Sequence, residues 1–187
     1  MIVAVTGASG AVYGIKALEL LGTAEGVETH LVMSPSARTT LSEETDYSPE
    51  HLEAMADVTH RWRDIGATIA SGSFRTAGMI IAPCSIKTLS AVASCHTADL
   101  IARAADVTLK ERRPLVLMVR ETPFHHGHLR LMSQVTEMGG IVFPPVPGFY
   151  HRPTTIDDLV TQSTARALDL LRLGPSFAAP WGGPQAS

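Results

Sequence analysis

The sequence predicts a three-layer α/β domain, with a mostly parallel sheet covered by helices on both faces. Three observations lead there. Short apolar runs without polar alternation recur along the chain, which is how strands buried on both faces read. Longer segments with helical patterning separate them. The first run ends in a glycine-rich turn that opens a helix.

Each element follows in order. The first run, residues 2–6, reads Ile2-Val3-Ala4-Val5-Thr6, and a helix apolar on one face follows over 11–21. The second run, 29–33, precedes a short helix at 36–42. Residues 46–76 are polar and mixed, and read as an irregular excursion with one short helix. The third run, 78–82, stops at Pro83, and a helix follows over 85–93. An amphipathic helix over 98–112 leads to the fourth run, 115–119. Another helix, 127–138, precedes the last run, 140–143. The final helix, 155–171, opens with Thr154-Thr155 before Asp157-Asp158, a hydroxyl-then-acid N-terminus. Residues 1–173 are expected to form one domain, and residues 174–187, rich in Gly, Pro and Ala, a tail.

The 187 residues are 45% hydrophobic and 18% charged, enough for one sizeable core in a compact soluble protein. The net charge of −3 argues against nucleic acid as a partner, because phosphate backbones select an excess of Lys and Arg. Two cysteines, Cys84 and Cys95, do not make a disulfide framework. No basic, apolar leader and no membrane-length apolar stretch is visible, so a cytoplasmic enzyme away from the membrane is expected.

In a parallel sheet, ligands bind beyond the carboxyl ends of the strands. After the first strand comes Thr6-Gly7-Ala8-Ser9-Gly10-Ala11-Val12-Tyr13-Gly14. Small residues let a phosphate approach the backbone, and the helix start offers N–H groups; a tight turn with no ligand would also use them. Gly7, Gly10 and Gly14 miss the dinucleotide spacing, and Met33-Ser34-Pro35-Ser36 stands where a ribose-binding acid is needed. A mononucleotide fits better than a nicotinamide cofactor.

After the third strand, Pro83-Cys84-Ser85-Ile86-Lys87-Thr88 puts hydroxyls at a helix start, where they either cap the helix or hold a polar ligand. Cys84 reads as a small, partly buried thiol. Arg120-Glu121 ends the fourth strand; it is a structural ion pair or an anion-binding Arg beside an acid–base Glu. Arg103 and Lys110 lie seven apart on one helical face. His125, His126 and His128 lack a helix-face metal spacing, and no metal is expected.

Taken together, these segments resemble the UbiX-type flavin prenyltransferases, formerly described as phenolic-acid or 3-octaprenyl-4-hydroxybenzoate decarboxylases. The resemblance runs from residue 2 to about 171. Its anchors are Thr6-Gly7-Ala8-Ser9-Gly10-Ala11, Glu44-Thr45, Pro83-Cys84-Ser85 and Arg103-Ala104-Ala105-Asp106-Val107. Leu109-Lys110-Glu111-Arg112-Arg113-Pro114, Arg120-Glu121-Thr122-Pro123 and Pro147-Gly148-Phe149-Tyr150-His151 complete them.

The resemblance implies a Rossmann-like, flavodoxin-related fold in a homododecamer with active sites at subunit contacts. It implies a metal-free reaction joining dimethylallyl monophosphate to reduced FMN, first at N5 and then at C6. The prenylated FMN product would serve a UbiD-type decarboxylase. Gly7, Ala8 and Ser9 match the FMN loop, and Ser34 a flavin-contacting serine. Ser85, Ile86, Lys87 and Thr88 match a second flavin-binding segment, and Arg120 an FMN ligand. Tyr150 and Arg166 match the pair holding the isoprenyl phosphate, with Lys110 and Arg103 as helpers. Glu121 matches the acid–base carboxylate, Glu44 a second active-site carboxylate, and Trp181 a C-terminal aromatic.

Two departures stand out. Ser94-Cys95-His96-Thr97-Ala98-Asp99-Leu100 replaces a segment that often carries Gly and Asn, and Pro35 stands where Lys is frequent. Two rival readings are an FMN-dependent cysteine decarboxylase of the same fold and a non-catalytic flavin-binding accessory subunit. The first looks for an Asn that residues 83–88 lack. The second has no use for the charged set Lys110, Arg120, Glu121, Tyr150 and Arg166.

Overall fold

The computed structural model describes residues 1–178. Trp181 and the rest of the chain beyond residue 178 lie outside the described residues. Six parallel strands form one sheet in the order β3-β2-β1-β4-β5-β6. They are β1 (Ile2–Val5), β2 (His30–Met33), β3 (Val58–His60), β4 (Met79–Cys84), β5 (Leu115–Val119) and β6 (Ile141–Val142). β1, β2, β4 and β5 are buried along their whole length, which explains their unbroken apolar reading.

Seven α-helices connect and cover the strands: α1 (Ala11–Gly22), α2 (Pro35–Glu44), α3 (Pro49–Ala54), α4 (Ile86–Ala93), α5 (Leu100–Lys110), α6 (His126–Glu137) and α7 (Ile156–Asp169). Side chains from α1, α2 and α7 bury one face of the sheet, around Leu18, Leu41 and Leu168. Those from α4, α5 and α6 bury the other, around Leu89, Ile101 and Val135. The Lys16 ammonium ties α1 to α7 through Asp157 at 2.9 Å. Thr155 and Asp158 form a capping box at the start of α7, the N-terminus that the hydroxyl-then-acid pattern predicts. Among the described residues no helix is long and apolar enough to cross a membrane.

Two sequence expectations change. Residues 46–76 contain not only α3 but also the edge strand β3 and a 3-10 turn at Thr68–Ala70. Cys84 is fully buried rather than partly so, and burial pushes its thiol far above the ordinary range, away from nucleophilic use.

Candidate active site

The strand order reverses between β1 and β4, so a crevice opens beyond their carboxyl ends. Buried Thr6 fixes that junction. Its hydroxyl donates to the Pro83 carbonyl at 2.7 Å and accepts the Ser85 N–H at 2.8 Å. One side chain thus sets the end of β4 against the end of β1.

A cavity of about 360 Å³ lies at this edge, lined by Gly7, Ser34, Ser36, Trp62, Ser85, Lys87, Thr88 and Asp99, among others. Its size falls in the range of small-molecule sites. Helices crossing a parallel sheet start at the carboxyl ends of the strands, and two helix starts meet here. Ser34 caps α2, accepting the Ala37 N–H at 3.1 Å, and Ser85 caps α4, accepting the Thr88 N–H at 3.3 Å. Both dipoles point their positive ends toward the cavity. Gly7 is required where β1 meets α2, because a Cβ there would overlap the Cβ of Ser36. Ser85 caps α4, and both Ser85 and Thr88 line the cavity. Ile86 begins α4 and packs on the core.

The start of α1 behaves differently from the sequence expectation. Its N–H groups are not free for a phosphate: the Glu44 Oε2 accepts from Gly10 at 2.8 Å and Ala11 at 3.1 Å. Gly10 adopts φ 103°, which glycine reaches without strain. Partial burial raises the Glu44 carboxyl. Hydrogen bonds from Ser9, Gly10 and Ala11, together with the Arg120 charge, outweigh it and hold the carboxyl below its ordinary value. Arg120 also lies near Tyr13, whose hydroxyl is raised by burial and partly drawn back by that charge. Ala8 is half-buried in the same loop and Ser9 is exposed.

Arg120 and Glu121 are not a buried ion pair. Arg120 is exposed, with its N–H donating to the Cys84 carbonyl at 3.1 Å. Half-buried Glu121 accepts the Thr122 N–H at 2.9 Å. The chain bends outward after β5, and that avoids the desolvation cost a buried pair would carry.

The remaining predicted residues form two other groups. Lys110 ends α5, at the amino edge of the sheet, where it pairs with Glu111 over Gly72. Arg103 donates to the Ala70 carbonyl at 3.2 Å and pairs with Asp106 at 3.0 Å. Arg113 holds the same loop, donating to the Gly72 and Phe74 carbonyls at 2.8 Å. The third group is gathered around α7. The Tyr150 hydroxyl accepts from the Gln162 amide at 2.9 Å, and Arg166 stands one turn further on, 3.5 Å from Asp169. Both ring nitrogens of neighbouring His151 are buried without a partner.

Sequence reasoning missed Trp62, Asp99 and Tyr13 here. Trp62 lay in the segment read as irregular. Asp99 could have been found as an N-cap before an apolar periodic run, and it does cap α5. Among the described residues no cluster of three or more His, Cys, Asp or Glu could hold a metal.

Comparison with known proteins adds to the geometry. The family described as Flavoprotein matches residues 1–166. Flavin prenyltransferase UbiX of Escherichia coli (strain K12) is 56% identical over 185 residues, 98% of each chain. The crystal structure of AnUbiX (PadA1) in complex with FMN and dimethylallyl pyrophosphate superimposes with a TM-score of 0.94 at 50% identity, covering 98% of this chain and 97% of that one. A dodecameric FMN-dependent Ubix-like decarboxylase from Escherichia coli O157:H7 gives 0.92 at 46% identity, covering 98% and 100%. Identity of this depth, carried over nearly every residue on both sides, is more than a shared scaffold explains: the chain belongs to the flavoprotein family and, within it, to the UbiX flavin prenyltransferases.

Proposed function

We propose that this enzyme joins a dimethylallyl phosphate to reduced FMN, first at N5 and then at C6, and that the prenylated FMN serves a UbiD-type decarboxylase. The observation that carries this reading is the cavity at the β1–β4 reversal. The starts of α2 and α4, the hydroxyls of Ser34, Ser85 and Thr88, and the Lys87 ammonium offer an anion site there. Those donors suit the phosphate of a mononucleotide, so the residues present fit FMN. The flavin ring would then extend toward Gly7, Ala8, Ser9, Glu44 and Arg120. The solved relative that holds FMN with dimethylallyl pyrophosphate supports the same pair of ligands.

Reduced FMN, when bound, supplies the nucleophilic nitrogen and carbon. The protein's task is to place the donor and manage charge. Breaking the allylic C–O bond sends its electron pair to the departing phosphate. Arg166, the Tyr150 hydroxyl, Lys110 and Arg103 are the groups to receive that charge. N5 would lose its proton as its bond forms; closing the ring at C6 adds a proton to the isoprenyl double bond and removes one from C6, and Glu121, directly or with the released phosphate, would carry that proton. Glu44, ionised and fixed at the start of α1, holds the flavin loop and the Arg120 charge in register.

Within one protomer these groups lie on opposite faces of the sheet, Lys110 and Arg103 on α5 and Arg166 on α7, with Tyr150 held to α7 through Gln162. Val146, Phe149 and Ile156, beside Tyr150, are 75%, 68% and 79% exposed, an apolar edge suited to another subunit. A solved relative is dodecameric. A homododecamer whose contacts complete the donor site accounts for all three observations. The two free cysteines suit a reducing cytoplasm.

The test is anaerobic incubation with chemically reduced FMN and dimethylallyl monophosphate, then the diphosphate, followed by mass spectrometry of the extracted flavin. A gain of one C5H8 unit is expected. Tightly bound, unmodified FMN with both donors would overturn the transferase in favour of an accessory flavin-binding subunit.

A further inference from the structure

Trp62 has no role in the reaction as derived above, yet it lies between two cavities. One is the 360 Å³ cavity proposed for FMN; the other, of about 350 Å³, is lined by Ser90, Ser94, His96 and Ala98 on its far side. Trp62, Lys87, Ala91 and Asp99 line both. The Trp62 carbonyl accepts the Leu100 N–H at 2.9 Å, which fastens the residue to the first turn of α5. Its ring is half-buried against the core beneath α4 and α5.

The Lys87 ammonium stands 5.7 Å from the centroid of that indole, within the roughly 6 Å reach of a cation–π contact. Lys87 is exposed, one residue into α4, and among the described residues it forms no ion pair. A lysine in that setting ordinarily sweeps through solvent on its four-carbon stem. The indole restricts that freedom and biases the ammonium toward the cavity that both residues line.

We infer that Trp62 is a positioning residue for Lys87: by holding the ammonium at the mouth of the cavity, it makes the site select the phosphorylated flavin over its unphosphorylated form. The inference rests on the placement of the FMN phosphate proposed above. Arg63 also approaches the indole, at 5.8 Å, but lines neither cavity, so it serves as the control.

The experiment measures binding of FMN and of riboflavin to the full chain by flavin fluorescence. Trp62→Ala should weaken FMN about two- to fivefold and leave riboflavin unchanged. Trp62→Phe should retain most of the selectivity, and Arg63→Ala all of it. Lys87→Ala should cost less in the Trp62→Ala background than in the wild type, because part of its effect runs through the indole. Trp62→Leu, which keeps bulk without a π face, should behave as the alanine variant does and covers the case in which that variant fails to fold. Equal weakening of FMN and riboflavin would overturn the inference and make Trp62 a packing or ring-stacking residue. So would unchanged FMN binding in Trp62→Ala when Lys87→Ala is defective, and the site reading would then survive. If Lys87→Ala itself leaves the FMN-to-riboflavin ratio unchanged, the phosphate lies elsewhere, and both the inference and the proposed placement fall.

Discussion

Glu44, the last residue of α2, caps α1: its carboxylate accepts the Gly10 and Ala11 N–H groups at 2.8 and 3.1 Å. The carboxyl is held below its ordinary value of 4.5, because the hydrogen bonds and the Arg120 charge outweigh desolvation. A depressed carboxyl contributes stability that is complete above the unfolded value and is lost as pH falls through the lower folded one. Glu44→Gln should therefore flatten the acid limb of the stability curve, beginning near pH 4.5, while leaving neutral stability less affected than Glu44→Ala does. Urea unfolding at stepped pH checks this. Parallel acid limbs in wild type and Glu44→Gln would refute it.

Glu121 stands where the chain leaves β5, with its carboxylate accepting the Thr122 N–H. Glu121→Gln should retain FMN affinity and lose prenyl transfer on the order of a hundredfold. Turnover equal to wild type would remove Glu121 from the acid–base role.

Arg166 shares a face of α7 with Gln162, which holds Tyr150. Arg166→Ala should raise the donor KM roughly tenfold and leave the FMN dissociation constant unchanged. Equal losses for both ligands would mean that no separate donor-phosphate site exists.

Thr6 tests the frame rather than the chemistry. Thr6→Val keeps the shape and deletes the hydroxyl, leaving the part-buried Ser85 N–H without its acceptor. It should cost about 1–3 kcal/mol in chemical unfolding, and flavin affinity should fall as the start of α4 loosens. Thr6→Ser should restore most of both. Wild-type stability in Thr6→Val would show that the junction is held by packing alone.

Much of this was legible in the sequence because burial on both faces leaves an unmistakable pattern. β1, β2, β4 and β5 are apolar throughout, and α7 declares its start through Thr155 and Asp158. β3 was not legible: Val58-Thr59-His60 is a three-residue edge strand, half exposed, whose composition matches a loop. The helix-start position of Ser85 followed from its place after a strand. The occupation of the α1 start by Glu44 did not, because that contact joins residues 34 apart through tertiary packing. Trp62 was hidden for the same reason: its value lies in Lys87, 25 positions away, which only the fold brings near.

The placement of Lys110 at the amino edge of the sheet and of Arg166 on α7 has a consequence for genetics. If a donor site draws these two cations from different protomers, Lys110→Ala and Arg166→Ala disable different halves of a shared unit. Each variant assembly would be inactive alone. Co-expressed, the two chains would form mixed assemblies in which some contacts pair an intact Lys110 with an intact Arg166, and activity would return. Two defective alleles would complement each other inside one particle, and the fraction of activity recovered would report how many protomers build each site.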